Sequence, residues 1–483
     1  MKTHRDDSRM RDALHIIASE LPESYVVGGA VRDCFLENDN RIDVDVVVQG
    51  DGYEIAKRVA DQVDGSFVPL DRRHGTGRIA FGERGATELD VSSFKGPSIQ
   101  EDLIKRDFTI NAMALPVADY LTGSMHNIID PCGGLKDLSQ GLIRVCSDDA
   151  FEDDPLRMIR AFRFSASLGF QISSHTYELI VRHNEKITSV AGERIRDECM
   201  IILAQGRCLE SLKAMDRVGL LDMVFEELTP MKGLEQNFYH HLNVWDHALE
   251  ALHQFESLIK QGDESFGELW SDIETYLNEE PVLKRPRKAL LKLAILFHDA
   301  GKPKTISKGT DHRIHFFGHE QISKTLFEHA ALRLKLAARE TQTIAMWIEN
   351  HMRPMFLSAQ SFPKRGVLKL NRKCGRDVIG LYLLYLADLK ASQGPARPIE
   401  ENTYAVLAVN KAFQLYFDSE RNSLEPLLRG NDIIQEFNLK PGPYLGFLLK
   451  EVFDLQVQGI VQSREEALAK VQKIIHQKPY NAS

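Results

Sequence analysis

Two aspartates two residues apart, Asp43 and Asp45, sit inside the apolar run Ile42–Val48. In an extended strand residues i and i+2 face the same side, so this spacing sets two carboxylates next to each other among valines. Like charges so placed repel unless a cation bridges them. Mg²⁺ takes carboxylate oxygens together with substrate phosphates, and a pair of such ions clamps the attacking and leaving oxygens of an in-line displacement. Two exposed carboxylates on an edge strand are the plainer alternative. Asp90, in a second apolar run, Leu89–Val91, is a third acidic candidate.

Upstream, Val27-Gly28-Gly29-Ala30-Val31-Arg32-Asp33 reads as a strand, a tight turn and a helix start. Glycines let backbone N–H groups approach a phosphate, and a helix N-terminus favours the anion. Arg32 in the first turn adds a charged fork. A plain Gly-Gly turn would look the same. Downstream, Lys105-Arg106-Asp107-Phe108-Thr109-Ile110-Asn111-Ala112 combines two cations, a hydroxyl and an amide with apolar alternation. That suits a segment touching a triphosphate; a charged cap before a buried stretch is the alternative.

A different set begins near His240: His247, His298 with Asp299, His319, His351 and Asp388. One histidine on an apolar face is usually a packed core group. Four, with two aspartates, each on a separate helical segment, point to metal ligands converging in a helix bundle. The metal would be either structural or catalytic.

The elements that must position these residues change character along the chain. Tyr25–Val27, Val44–Val48, Ile79–Phe81 and Leu89–Val91 read as short strands, separated by amphipathic stretches at Met10–Leu21 and Tyr53–Val63. This is a small sheet flanked by helices. After Val145 the apolar spacing is helical almost throughout. The expected class is α+β: a small N-terminal mixed sheet with helices, then all-helical domains. The divisions expected are 1–146, 147–232, 233–395 and 396–483, with breaks near Ser147–Asp149, Pro230–Gln236 and Pro395–Pro398. The acidic, polar stretch Gln261–Glu280 reads as a loop or a loosely packed helix, and Asp388 as the end of a helix over Leu381–Ala387.

Composition bounds the rest. At roughly 100–200 residues per domain, 483 residues make about three domains. The longest apolar runs fall far short of the about 20 residues a spanning helix needs, so no membrane association is expected. Met1–Ser24 has no apolar signal region, and six cysteines form no CxxC pair; reduced thiols in a cytoplasmic protein follow. A net charge of −9 argues against binding nucleic acid by bulk electrostatics. It leaves room for a local groove, since Arg353–Arg376 carries seven basic residues and no acidic one.

Taken together, the N-terminal motifs resemble the class II tRNA nucleotidyltransferase and bacterial poly(A) polymerase family of the DNA polymerase beta superfamily. GGAVRD, the DVD strand and RDFTINAM come in family order, followed by Ile128–Leu138, Asp153–Phe164 and Glu193–Glu198, over roughly residues 20 to 230. The resemblance implies Mg²⁺ on Asp43 and Asp45, with Asp90 beside them. It implies a triphosphate held by Gly28, Gly29, Arg32, Arg106 and Asn111. The incoming base would be read by protein groups, Asp154 and Arg157, with Arg160 next on the same helix. A carboxylate accepts from the exocyclic amino group of cytosine or adenine. Glu193–Glu198 would buttress these readers. The substrates implied are the tRNA 3′ end and CTP, ATP or both, leaving protein partners open.

The downstream set resembles the HD phosphohydrolase domain. His247, His298, Asp299 and Asp388 fill its pattern, and His319 and His351 match the extra histidines of two-metal members. A divalent transition metal of open identity is implied, and with it a phosphohydrolase activity. The expected function is therefore addition of CC, or the whole CCA, to tRNA. A poly(A) polymerase or A-adding enzyme is one alternative, and an HD phosphohydrolase with a nucleotide-binding module is another. One feature favours CC alone: Leu89–Ser98 runs almost directly into Ile99–Lys105, where CCA-adding relatives carry a flexible loop thought to help the site switch from C to A.

Overall fold

The structure, a computed structural model, describes residues 3–36, 43–82, 87–236, 242–282, 285–308, 314–358, 362–392, 399–421, 426–457 and 460–477. The break expected near Pro395–Pro398 and the residue His240 lie outside these. The chain forms two compact units, one of residues 1–229 with 330–336, the other of 230–329 with 337–483.

The first unit holds a six-stranded mixed sheet: β1 (Ser24–Val27), β2 (Asp43–Val48), β3 (Ser66–Asp71), β4 (Thr76–Phe81), β5 (Thr87–Ser93) and β6 (Ala114–Pro116), in the order β3-β4-β5-β2-β1-β6. Only β2 and β5 run parallel, and their register sets Asp45 beside Asp90. The valines of β2 are buried while Asp43 and Asp45 keep accessible surface. The four strands expected from the sequence are present. Two more escaped it. β3 is an edge strand whose side chains are mostly exposed, with Pro69 beside a bulge, so its apolar alternation is weak. β6 has only three residues.

The helix Gly52–Gln62 packs across the sheet, capped by Asp51, whose Oδ1 accepts from the Tyr53 and Glu54 amides. Gly52 is needed there: a Cβ would lie 2.6 Å from the Gly75 carbonyl oxygen. Beyond the sheet the unit is helical, with Arg157–Leu168 and Gly192–Ala204 packed together.

The second unit is almost entirely helical. Val244–Lys260, Arg287–Phe297, Ala338–Asn350 and Val378–Ala391 bury long apolar faces against one another. Of the two forms expected for Gln261–Glu280, the structure shows the helical one: Gly262–Phe266 and Trp270–Asn278 are helices that bury Phe266, Ile273, Tyr276 and Leu277. Its acidic residues masked an apolar repeat at helical spacing. The helix expected over Leu381–Ala387 runs Val378–Ala391, so Asp388 lies in its last turn. The last helices, Gly430–Phe437, Pro443–Val457 and Arg464–Gln477, surround a separate cluster built on Leu428, Ile433, Leu448 and Val471. Among the described residues no helix is long and apolar enough to cross a membrane.

Candidate active site and metal centre

In the first unit Asp45 sits at the floor of a cavity of about 690 Å³, lined also by Asp90, Lys95, Arg106 and the turn residues Arg73 and His74. Enclosure by the cleft, then the neighbouring Asp90, push the Asp45 carboxyl above the usual carboxylate range; Asp43 adds to this, and Arg106 and Arg78 oppose it. A site that destabilises its own anion in this way suits an added cation. Among the described residues the three carboxylates do not form a donor group within 4.8 Å, and Arg78 holds both oxygens of Asp90 at 2.7 and 2.9 Å. Gly28, at φ 71°, lets the main chain pass close by: a Cβ there would lie 3.2 Å from Asp45 Oδ2 and 3.7 Å from Arg106 Nη1. Gly29 opens the helix Gly29–Phe35.

Arg32 is turned inward. Its guanidinium donates to Asn111 Oδ1 at 2.8 Å and to Asp33 Oδ1 at 2.8 Å, and it lies over the Phe164 ring. Asn111 in turn donates to Asp107 Oδ1, and Arg160 grips Asp107 Oδ2 at 2.6 Å. Burial would raise the Asp107 carboxyl, but Arg160, with the Phe108 amide and Asn111, more than offsets it and holds the group below the usual range. The chain continues through Glu198, which accepts from Arg160 at 3.3 Å and pairs with Arg163 at 2.9 Å. Arg160 and Arg163 are thus tied to buried carboxylates rather than extended toward a ligand.

Beside this network lies a second, smaller cavity of about 230 Å³, lined by Asp154, Arg157, Arg160, Arg194, Lys95 and Arg106 among others. Asp154 accepts from Arg194 at 2.8 Å through Oδ2 and from the Leu156 amide through Oδ1. Arg157 donates to the carbonyls of Lys105 and Ala150 at 2.8 and 3.2 Å. Arg106, anchored by Asp102 at 2.9 Å, lines both cavities, as does Lys95. Lys95 and Asp107 were not singled out from the sequence. Lys95 stands alone in a short linker with no motif around it, and the place of Asp107 depends on partners 53 and 91 residues away in the chain, Arg160 directly and Glu198 through it.

In the second unit the six expected residues come together at helix ends. His247 lies in the first turn of Val244–Lys260, His298 and Asp299 follow Arg287–Phe297, His319 opens His319–Arg333, His351 follows Ala338–Asn350, and Asp388 lies in the last turn of Val378–Ala391. They form two donor groups, His247 with His298 and Asp388, and Asp299 with His319 and His351; within each, the donor atoms lie within 4.8 Å of one another. The tautomers are fixed by geometry. Nδ1 of His298, His319 and His351 each lies 2.7–2.8 Å from the carbonyl three residues earlier. A carbonyl only accepts, so each Nδ1 carries a hydrogen and each neutral ring turns an Nε2 lone pair inward. His319 Nε2 and His351 Nε2 then face each other at 3.3 Å. Two lone pairs at that distance need a positive charge between or beside them, and the donor set fits a divalent transition ion. Lys302 Nζ, 2.6 Å from Asp299 Oδ2, is a protein cation beside the group.

The poly A polymerase head domain family matches residues 24–144, the family described as "Probable RNA and SrmB- binding site of polymerase A" matches 169–232, and the HD domain matches 238–388. An A-adding tRNA nucleotidyltransferase of Deinococcus radiodurans is 30% identical across 95% of this chain and 97% of its own length. The chain belongs to the tRNA nucleotidyltransferase and poly(A) polymerase family. Its relatives differ in the nucleotide they are named for: a CC-adding tRNA nucleotidyltransferase of Thermus thermophilus is 28% identical over 92% of each chain. The fold is that of a solved CCA-adding enzyme, with a TM-score of 0.64 at 22% identity over 97% of this chain and 94% of that one. This nucleotidyltransferase therefore joins a head of the polymerase type to an HD domain in one chain.

Proposed function

We propose that this nucleotidyltransferase adds CMP to the 3′ end of tRNA and stops at CC. The observation that carries the reading is the linker 94–98 between β5 and the helix Ile99–Ile104. It has no free length. Phe94 N–H donates to Val48 O, Lys95 N–H to Asp102 Oδ1, and Lys105 Nζ to Lys95 O at 2.8 Å. A segment so pinned is no lever, and Asp154 and Arg157 are themselves anchored. A reader held in one geometry accepts one base.

In this reading Asp154 accepts from the cytosine amino group, and Arg157 donates to its ring nitrogen and carbonyl. Arg160, Asp107 and Glu198 keep the reading helix in place, and Arg32 and Asn111 stiffen the turn at Gly28 and Gly29. Arg106, between the two cavities, is placed to bind the triphosphate while the base lies in the smaller one. Asp43 and Asp45, with Asp90 behind them, would hold Mg²⁺, which supplies charge neutralisation at the attacking and leaving oxygens. The tRNA 3′ end enters the larger cavity, where Arg73 offers positive charge to its backbone. The domain divisions drawn from the sequence and a cytoplasmic site of action belong to the same proposal.

The test is a tRNA ending in CC offered ATP alone, beside a transcript lacking the whole tail offered CTP. Addition of two C residues to the second and none to the first supports the reading. Efficient A addition to the first overturns it, in favour of the A-adding activity for which the Deinococcus relative is named.

The HD centre supports a second activity, hydrolysis of a phosphoester. His247, His298 and Asp388 would hold one ion and Asp299, His319 and His351 another, which together supply Lewis acidity toward the ester and its attacking water. Lys302 holds Asp299 in place. Turnover of a generic phosphodiester or phosphomonoester by metal-loaded protein, absent from a His351→Ala variant that still folds, tests this.

A further inference from the structure

A nucleoside triphosphate has one joint between its base and ribose and its outer phosphates, namely the α-phosphate, where the bond to the tRNA end forms. In the reading above the base lies in the smaller cavity, beside Asp154 and Arg157, while the carboxylates Asp45 and Asp90 line the larger one. The α-phosphate therefore lies where the two cavities meet. Lys95 and Arg106 are the residues common to both linings.

The two cations are not equivalent. Arg106 turns Nε and Nη2 onto Asp102 Oδ2 at 3.0 and 2.9 Å, and its Nη1 faces the turn at Gly28, where a Cβ would lie 3.7 Å away. Lys95 is fixed through its main chain: its amide donates to Asp102 Oδ1 at 3.0 Å, and its carbonyl accepts from Lys105 Nζ at 2.8 Å. One buried carboxylate thus sets both residues. Among the described residues the Lys95 ammonium itself makes no hydrogen bond or ion pair. Burial, then Arg106, push its pKa down; Arg157 adds to this, and Asp102 and Asp107 oppose it. An ammonium that its surroundings disfavour is stabilised when an anion arrives beside it.

We propose that Lys95 is a catalytic residue of nucleotidyl transfer, its ammonium bonded to a non-bridging oxygen of the α-phosphate. This rests on the nucleotidyl-transfer reading of the head. The 3′ oxygen of the tRNA bonds to the α-phosphorus, and the bond from that phosphorus to the α–β bridging oxygen breaks. Pyrophosphate leaves with the electron pair, and the hydroxyl proton passes to water. Lys95 keeps its proton throughout. Its charge is in place before the reaction, where negative charge gathers on the α-phosphate oxygens, so it counts for more in the transition state than in the bound substrate.

The test is steady-state addition at saturating tRNA transcript with CTP varied. Lys95→Met keeps the stem and removes the charge, and the two main-chain anchors do not need the side chain. It should lower kcat by ~10²-fold with KM for CTP within a few-fold of wild type. Lys95→Gln should match it, and Lys95→Arg should recover most of the rate. Product inhibition locates the contact: Lys95→Met should weaken inhibition by CMP, which carries only the α-phosphate, several-fold, and leave inhibition by pyrophosphate unchanged. An unchanged kcat in Lys95→Met and Lys95→Gln overturns the proposal. So does weakened pyrophosphate inhibition with CMP unaffected, which would place Lys95 on the outer phosphates. ATP and AMP replace CTP and CMP if the wild type adds A, so the outcome is independent of which base is added. Full activity in Lys95→Met beside an inactive Asp45→Ala would remove the Lys95 role alone, whereas an active Asp45→Ala would remove the reading of the head on which it rests.

Discussion

Loading the HD centre with a divalent transition ion should expel about one proton per protein near pH 7.5. Burial alone would keep His298 neutral, but Asp299 and Asp388 overcome it and raise the imidazole to about 10 in the metal-free protein. Burial and the neighbouring His298 and His319 instead hold His351 neutral, down to about 3. The carboxyls of Asp299 and Asp388 lie well below the usual range and stay ionised. At pH 7.5 one ligand nitrogen, His298 Nε2, therefore carries a proton that an incoming ion must displace. While that proton is bound, metal affinity should rise by about tenfold per pH unit, or ~1.4 kcal/mol. Between pH 6.5 and 8.5 that amounts to about 100-fold.

Stability of the stripped protein should run the other way. A histidine whose folded pKa lies above its unfolded one contributes stability that is complete below about 6.5 and lost as pH climbs toward 10. The metal-free protein should thus lose melting temperature from pH 6.5 upward, and the loaded protein should lose less. The assay is titration calorimetry of chelator-stripped protein with Ni²⁺ or Mn²⁺ in buffers of different ionisation enthalpy, where the slope of observed heat against buffer enthalpy counts protons. A count near zero at pH 7.5, or an affinity flat between pH 6.5 and 8.5, would refute the charge assignment. In His298→Ala the count should vanish along with most of the affinity.

Three further outcomes are expected. Asp43→Ala and Asp45→Ala should each lower CMP addition by ~10²-fold or more, as removal of a main electrostatic group does, with tRNA affinity in a filter-binding assay near that of wild type. Glu198→Ala removes the shared partner of Arg160 and Arg163. Losing a buried ion-pair partner costs about 3–5 kcal/mol; because Arg160 keeps Asp107 and Arg163 still lies against Phe164, a loss of about 2–3 kcal/mol is expected, seen in a urea titration followed by intrinsic fluorescence. His298→Ala should leave CMP addition within a few-fold of wild type while any metal-dependent phosphohydrolysis disappears; a folded variant unable to add CMP would show that the two activities are coupled.

Much of the fold and of the residue set was legible because local rules carry it. The DVD alternation works at a span of three residues, and it placed Asp43 and Asp45 on one strand face. The four strands, the helical body and the six residues of the two HD donor groups likewise follow from short-range patterns or from motif spacing. What was not legible depends on partners distant in the chain. Arg157 and Arg160, on one helix, read as contacts for the incoming base. In the folded unit Arg160 meets Asp107 and Glu198, and Arg163 meets Glu198; the segment Glu193–Glu198 was expected to buttress the readers, but no local pattern announces Asp107, 53 residues away. Arg32, at a helix start, likewise has a partner that no local pattern announces: its guanidinium donates to Asn111 Oδ1. The strand β3 was obscured for a simpler reason, since exposed residues outnumber the apolar ones that fix it, and in 261–280 the acidic residues left a helix and a loop equally open.

The two centres hold unfavourable like-with-like contacts, and each points to its cation differently. In the head, three carboxylates share neighbouring strands, and the protein supplies only partial relief: Arg78 is committed to Asp90 and Arg106 to Asp102, leaving Asp45 the least compensated. In the HD centre the frustration lies between lone pairs, because helix-end carbonyls fix the Nδ1 hydrogens and force the Nε2 atoms together. The first arrangement is open, oxygen-rich and bordered by arginines, which suits an ion that arrives with phosphates and keeps part of its water. The second is buried and nitrogen-rich, which suits an ion that stays. Chelation should therefore distinguish them: the head gives up its metal on a brief exposure and regains activity with Mg²⁺, whereas the HD centre yields its ion slowly and recovers only with a transition metal.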